Sequence, residues 1–143
     1  MPDKFPAETR SKIMRSIRSQ SKLENRVTKA LWHKGLRFRK NVKSLPGAPD
    51  IAIKKYKVAV FIDSCFWHGC PDHFRLPESN TEYWARKIAK NKNRDQNVTS
   101  HYVSSGWRIL RVWEHEFKED FDAAVTRIAE FIRQDREASL KYP

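Results

Sequence analysis

Asp63, Cys65, His68, Cys70 and His73, all able to bind metal or move protons, fall within eleven positions. Both cysteines of the chain are among them. Thiolate and imidazole suit Zn²⁺, and four protein ligands make a structural site. Cys65, Cys70 and His73, completed by the distant His115, form one such set. Their spacing, Cys-x4-Cys-x2-His, is not that of a standard finger, so buried thiols beside unrelated surface histidines stay open as the other reading. His68 is the spare imidazole: a substitute ligand, or a general base.

Asp50 follows Pro49 and also has two readings. One is a turn carboxylate. The other is the first acid of a Pro-Asp…Asp/Glu-x-Lys nuclease, holding Mg²⁺ through hard oxygen ligands. The lysine of that pattern is absent, since Asp63-Ser64-Cys65 places a cysteine there. A nuclease of this kind needs another base, and His68 is the nearest. Phe66, Trp67 and Trp84 are either core residues or wedges that unstack base steps.

These groups need elements to hold them. Val58-Ala59-Val60-Phe61-Ile62 is a short apolar, β-branched run and reads as a buried strand. It delivers Asp63 at its end. Asp50-Ile51-Ala52-Ile53 reads as the preceding antiparallel strand, so Asp50 and Asp63 lie at neighbouring ends. Residues 36–39 alternate like a further strand, and residues 107–113 like a last one leading to Glu114 and His115.

Helices fill the remainder. Residues 1–10 read as an irregular arm and residues 11–18 as a short helix. Ser21-Lys22-Leu23-Glu24 has the form of a capping box, with Glu24 as capping partner, and opens a helix that Gly35 ends. Residues 81–104 form a strongly basic helix stopped by Gly106, and residues 122–136 a final one. The order is α-β-β-β-α-β-α in an α/β chain, with an arm at residues 1–20 and one domain at residues 21–143.

The 143 residues hold 29 Lys and Arg against 17 Asp and Glu, a net charge of +12. That balance favours a polyanion, because basic side chains displace counterions from phosphates. An anionic membrane surface is the other class it admits. No apolar run reaches the length of a membrane span, and a cytoplasmic location is expected.

The chain resembles the very short patch repair endonucleases, the DNA mismatch endonuclease family of bacteria. The resemblance rests on Thr9-Arg10-Ser11-Lys12…Met14-Arg15, Ser44-Leu45-Pro46-Gly47-Ala48-Pro49-Asp50 and Cys65-Phe66-Trp67-His68-Gly69-Cys70-Pro71. Tyr83-Trp84…Lys87…Lys90-Asn91…Arg94-Asp95 and Gly106-Trp107-Arg108…Val112-Trp113-Glu114-His115 extend it over almost the whole chain. It implies a restriction-endonuclease-like fold, a variant of the PD-(D/E)xK type, with a central mixed sheet, flanking helices and a structural zinc. It implies nicking on the 5′ side of the thymine of a T·G mismatch, the product of 5-methylcytosine deamination.

The resemblance also assigns roles. Asp50 and the carbonyl of Ile62 bind Mg²⁺. His68 is catalytic, Asp95 orients it, and Glu24 is an acid near the active centre. Cys65, Cys70, His73 and His115 bind zinc. Met14, Phe66, Trp67 and Trp84 contact DNA at the mismatch, and Lys87 and Asn91 read the mismatched pair. Some family members carry histidine where this chain has Asp63, and a carboxylate there could bind Mg²⁺ directly. The expected partners are double-stranded DNA with a T·G mismatch and mismatch-repair proteins, for a monomeric enzyme. The alternatives are a nicking or restriction endonuclease with another target, and a non-catalytic zinc-stabilised DNA-binding module.

Overall fold

A computed structural model describes residues 7–141. Helix α1 (Ala7–His33) is one unbroken element of 27 residues. The expected irregular stretch, short helix and fresh start at Ser21 are therefore corrected from Ala7 onward, while residues 1–6 lie outside the described part. No Gly or Pro interrupts residues 7–33, and Ser21–Glu24 can act as a capping box only where the backbone before it is not already helical. The expected division at residue 20 falls inside this helix. Gly35 closes it as expected: Leu36 N–H donates to the Leu31 carbonyl at 3.2 Å and Gly35 N–H to that of Trp32 at 3.0 Å.

Strand β1 is only Arg39–Lys40, later and shorter than the alternation suggested. Strands β2 (Ile51–Ile53) and β3 (Val58–Asp63) pair antiparallel, with Ile51 opposite Val60. Helix α2 (Thr81–Ser104) crosses over to β4 (Arg108–Trp113), which runs parallel to β3 with Val60 opposite Leu110. Helix α3 (Glu114–Glu119) follows at once and was not expected; α4 (Phe121–Lys141) extends beyond the expected end at 136. The mixed sheet has the order β1-β2-β3-β4.

Every residue of β3 is buried, which is why its sequence is a continuous apolar run and not an alternating one. Val58, Val60 and Ile62 pack with Val27 and Leu31 of α1 and with Ile128 and Ile132 of α4. Ala59 and Phe61 face the other way and pack with Tyr102 of α2. The period of two along β3 thus separates two helical layers. The turn before Asp50 is pinned to α2. Tyr102 Oη donates to the Pro46 carbonyl at 2.5 Å. Gly47 has φ +73, and a Cβ there would lie 2.8 Å from Val98 Cγ1. Among the described residues no helix is long and apolar enough to cross a membrane.

One arginine binds the layers at the polar end of the sheet. Arg111 of β4 places its guanidinium 4.3 Å from the Phe61 ring centroid. Its Nη1 reaches both carboxylate oxygens of Asp63 at 3.2 and 3.1 Å. Its Nε donates to Thr99 Oγ1 and its Nη2 to the Asp95 carbonyl, both on α2. Asp63 is 5% exposed, so removing its partner leaves a buried charge uncompensated. Arg111→Met is expected to cost about 3–5 kcal/mol in urea denaturation, and the double change with Asp63→Asn to recover part of that loss.

Candidate active site and metal centre

Asp50 stands immediately before β2, where the antiparallel register brings it to the end of β3. Its Oδ2 accepts the Ile62 N–H at 2.7 Å. Glu24, from the inner face of α1, is the carboxyl neighbour of Asp50. Two adjacent carboxyl groups are hard to ionise together. Burial first, then Glu24, pushes the Asp50 carboxyl up to about 8, against the pull of the Ile62 N–H. Such a pair is costly to ionise without a cation and is prepared to exchange its proton for one. The Ile62 carbonyl, expected as a metal ligand, accepts from Gln20 Nε2 at 2.9 Å.

His68 follows the aromatic pair on the loop after β3. Its Nδ1 lies 2.5 Å from Asp95 Oδ2. A carboxylate only accepts, so Nδ1 carries the hydrogen, and in the neutral ring Nε2 is the acceptor. Nε2 faces Asp63 Oδ1 at 3.8 Å. The expected pairing of His68 with Asp95 is thus present in the geometry. Asp63, expected to be able to contact Mg²⁺ directly, has both its oxygens engaged by Arg111. Burial pushes the Asp63 carboxyl up, opposed by His68 and Arg111.

The Cys and His residues meet. One ligand atom from each of Cys65, Cys70, His73 and His115 lies within 4.8 Å of all the others. His115 Nδ1 is 3.2 Å from Cys65 Sγ and 3.6 Å from Cys70 Sγ, and His73 Nδ1 is 3.8 Å from Cys70 Sγ. A tetrahedral zinc with ordinary bond lengths separates sulfur from nitrogen by about 3.6 Å. The donor set and its spacing therefore fit Zn²⁺. Burial pushes the Cys65 thiol up to about 11, so it holds its proton until a cation takes its place. His115 arrives because β4 runs parallel to β3 and α3 begins directly after it.

The loop between the cysteines is fixed on every side. Cys70 N–H donates to the Cys65 carbonyl at 2.9 Å. Cys65 N–H donates to Glu114 Oε1 at 2.8 Å. Gly69 has φ +62, and a Cβ there would lie 2.8 Å from Ile88 Cγ2 of α2. Phe66 and Trp67 stand half-buried on this loop with ring centroids 5.1 Å apart. Trp84 lies beneath both, at 5.2 and 5.7 Å, and is only 4% exposed. It backs the pair and does not project beside it. A groove of about 490 Å³ runs between this cluster and Lys12, Ile13 and Ser16 of α1. A second groove, about 430 Å³, lies beside His68 with Lys43 and Arg94 on its walls.

Helix α2 presents one stripe to all of this. Lys87, Asn91, Asp95 and Thr99 follow at intervals of four, on one face. Lys87 is exposed and so is Met14, at 51%. Asn91, expected to read a base pair, is 7% exposed and donates its Nδ2 to the Trp67 carbonyl at 3.0 Å. In this conformation it holds the aromatic loop. Three residues of the site escaped the sequence reading. Arg111, Glu114 and Gln20 each act on a partner more than forty positions away. The only local signal was that Glu114 lies in the motif shared with the family.

The comparisons with known proteins agree with this arrangement. A profile of the family described as DNA mismatch endonuclease Vsr matches residues 2–73. The chain is similar to the Type II nicking enzyme V.NaeI of Lentzea aerocolonigenes, 47% identical over 76% of this chain and 68% of that one. It is 38% identical to the Type II nicking enzyme V.NmeDIP of Neisseria meningitidis serogroup C, over 98% of this chain and 96% of the relative. It is 40% identical to the DNA mismatch endonuclease Vsr of Escherichia coli K12, over 80% and 74%. With a half-buried acidic pair, an oriented histidine and a Cys/His cluster behind an aromatic loop, the chain belongs to the Vsr family of DNA mismatch endonucleases.

Proposed function

We propose that this protein is a Mg²⁺-dependent endonuclease with a restriction-endonuclease-like fold of the PD-(D/E)xK type, nicking one strand of DNA 5′ to the thymine of a T·G mismatch. One observation carries the reading: acid pair, base and wedge form a continuous chain. Glu24 neighbours Asp50, Asp50 bonds the backbone of Ile62, the next residue Asp63 faces His68, and His68 bonds Asp95. Trp67 directly precedes His68. Insertion of the aromatic pair beside a mismatch thereby sets the position of the base.

Asp50, Glu24 and the Ile62 carbonyl are hard oxygen donors and would hold Mg²⁺. Bound there, it would polarise the scissile phosphate and offset charge on the departing oxygen. His68 Nε2 takes the proton of the attacking water, while Asp95 keeps the ring in the required tautomer. Asp63 stabilises the imidazolium that results, and Arg111 keeps Asp63 from closing on it as a full ion pair. Cys65, Cys70, His73 and His115 would hold a structural Zn²⁺ that fixes the loop carrying Phe66, Trp67 and His68. Lys12 and the exposed lysines and arginines of α2 supply DNA affinity through phosphates.

A second reading is favoured by the relatives named Type II nicking enzymes: a nicking enzyme whose target lies in a different sequence context. Cleavage of end-labelled duplexes holding T·G in varied flanks, each strand labelled in turn, separates the two. Nicking confined to the thymine strand of T·G supports the proposal, and nicking of matched duplex overturns it.

Metal analysis of purified protein should give one zinc per chain, and Cys70→Ser should give metal-poor protein with a lowered melting temperature. A zinc-free, fully folded parent contradicts the assignment.

Asp50→Ala should abolish nicking while mismatch binding persists, since it removes a cation ligand and no DNA contact. His68→Ala should lower the single-turnover rate by about 10²–10⁴-fold at saturating Mg²⁺. Loss of zinc from His68→Ala with nicking retained would make it a ligand and not the base.

The aromatic pair should set discrimination. Unstacking a step costs on the order of a few kcal/mol, less beside a wobble pair. Trp67→Ala is expected to lower the ratio of T·G to T·A binding by about tenfold, ~1.4 kcal/mol, with little change in matched binding. Lys12→Ala should weaken both duplexes and reduce the salt slope by about one.

A further inference from the structure

Helix α1 meets the sheet along one stripe of its surface. Gln20, Glu24, Val27 and Leu31 follow at intervals of four, three and four. Val27 and Leu31 are fully buried in the core. Glu24 reaches Asp50. Gln20, one turn earlier, lies over the polar end of β3, where its Nε2 donates to the Ile62 carbonyl at 2.9 Å. Ile62 in turn donates its N–H to Asp50. Gln20 and Asp50 therefore grip the two backbone groups of one residue.

The other end of the carboxamide has no such partner. Oε1 of Gln20 is buried and unbonded, the one such side-chain atom among the described residues. Turning the amide over does not relieve this. It would set Oε1 against the Ile62 oxygen, two acceptors face to face. Native proteins leave few polar atoms in this condition, and each calls for a ligand or water. A carboxamide oxygen is a hard, neutral donor, the kind that suits Mg²⁺ or the waters Mg²⁺ retains. The Ile62 carbonyl has two lone pairs, so bonding to Gln20 leaves one for a cation.

We propose that Gln20 is a positioning residue of the Asp50 site: its Nε2 aims the Ile62 carbonyl, and its Oε1 receives the divalent cation or a water bound to it. This rests on the reading of Asp50 as a Mg²⁺ ligand. It gives the helix that bears Lys12 and Met14 a direct hold on the metal site, eight positions further along than Lys12.

The test uses two variants of the full chain, purified with its Cys/His metal. Gln20→Met removes both polar ends at nearly constant volume. Gln20→Glu keeps an oxygen but adds a carboxylate beside Asp50 and Glu24. Mn²⁺ binding without DNA is read by electron paramagnetic resonance, and the Mg²⁺ requirement by the concentration giving half-maximal nicking. Gln20→Met should weaken both about tenfold, the scale of losses from residues that orient metal ligands. Gln20→Glu should bind Mn²⁺ at least as tightly as the parent, and Mg²⁺ should raise its melting temperature by more than the parent's. Parental metal constants in Gln20→Met, whatever its melting temperature, overturn the proposal. Where Gln20→Met fails to fold, weaker Mn²⁺ binding by Gln20→Glu overturns it. Asp50→Asn separates the two levels. Loss of Mn²⁺ binding there, with Gln20→Met unaffected, sinks only the role of Gln20; Mn²⁺ binding retained in Asp50→Asn sinks the metal reading beneath it.

Discussion

A strand buried on both faces must become polar within one residue at the end of β3, and that transition governs the surrounding structure. Val58 to Ile62 lie among apolar side chains, and Asp63 then carries a buried carboxylate. A charge in that position is costly unless it is paired and hydrogen-bonded. Arg111 meets the need from β4, reaching it because the parallel register sets Arg111 opposite Phe61, two residues before Asp63 and on the same face. The same guanidinium then fastens Thr99 and Asp95 of α2. Satisfying one buried charge thus fixes the helix that orients His68.

The loop after that strand has no regular structure of its own, yet it carries the aromatic pair and the histidine. Its rigidity comes from outside. The Cys/His cluster ties its two ends to the start of α3, Glu114 holds the Cys65 N–H, and Asn91 holds the Trp67 carbonyl. Gly69 lets the backbone lie directly on Ile88 and Lys92. A loop held in this way leaves few degrees of freedom to be frozen when a ligand binds to it. A buried Asn91 and Trp84 serve that purpose even though neither stands at the surface.

Much of this was legible in the chain itself. The apolar run of β3, the basic helix α2 and the meeting of Asp50 with the end of β3 follow from period and register, which are local. The Cys65–Cys70–His73 cluster is local too. What was not legible depended on distance or on competition between signals. Ser21–Glu24 has the letters of a helix start, but a helix already under way from Ala7 leaves it no orphan N–H groups to cap. Helix α3 is six residues long, too short for periodicity, and its mark is one side chain: Glu116 accepts the Trp113 N–H at 2.8 Å. Arg111 looked like an ordinary member of an alternating strand. Only the fold reveals that its partners sit 48 and 16 positions away.

The distribution of charge has one further consequence. The chain carries a net charge of +12, yet its centre gathers Glu24, Asp50, Asp63 and Asp95. Four ionised carboxylates would repel the phosphate that has to enter. Each is muted by a different means. Arg111 offsets Asp63, the imidazole of His68 engages Asp95, and burial beside Glu24 pushes the Asp50 carboxyl up to about 8, toward its neutral form. The first two arrangements are fixed by packing, and the third by desolvation. The basic surface can therefore draw in a polyanion by its long-range field, while the acidic centre presents little net negative charge.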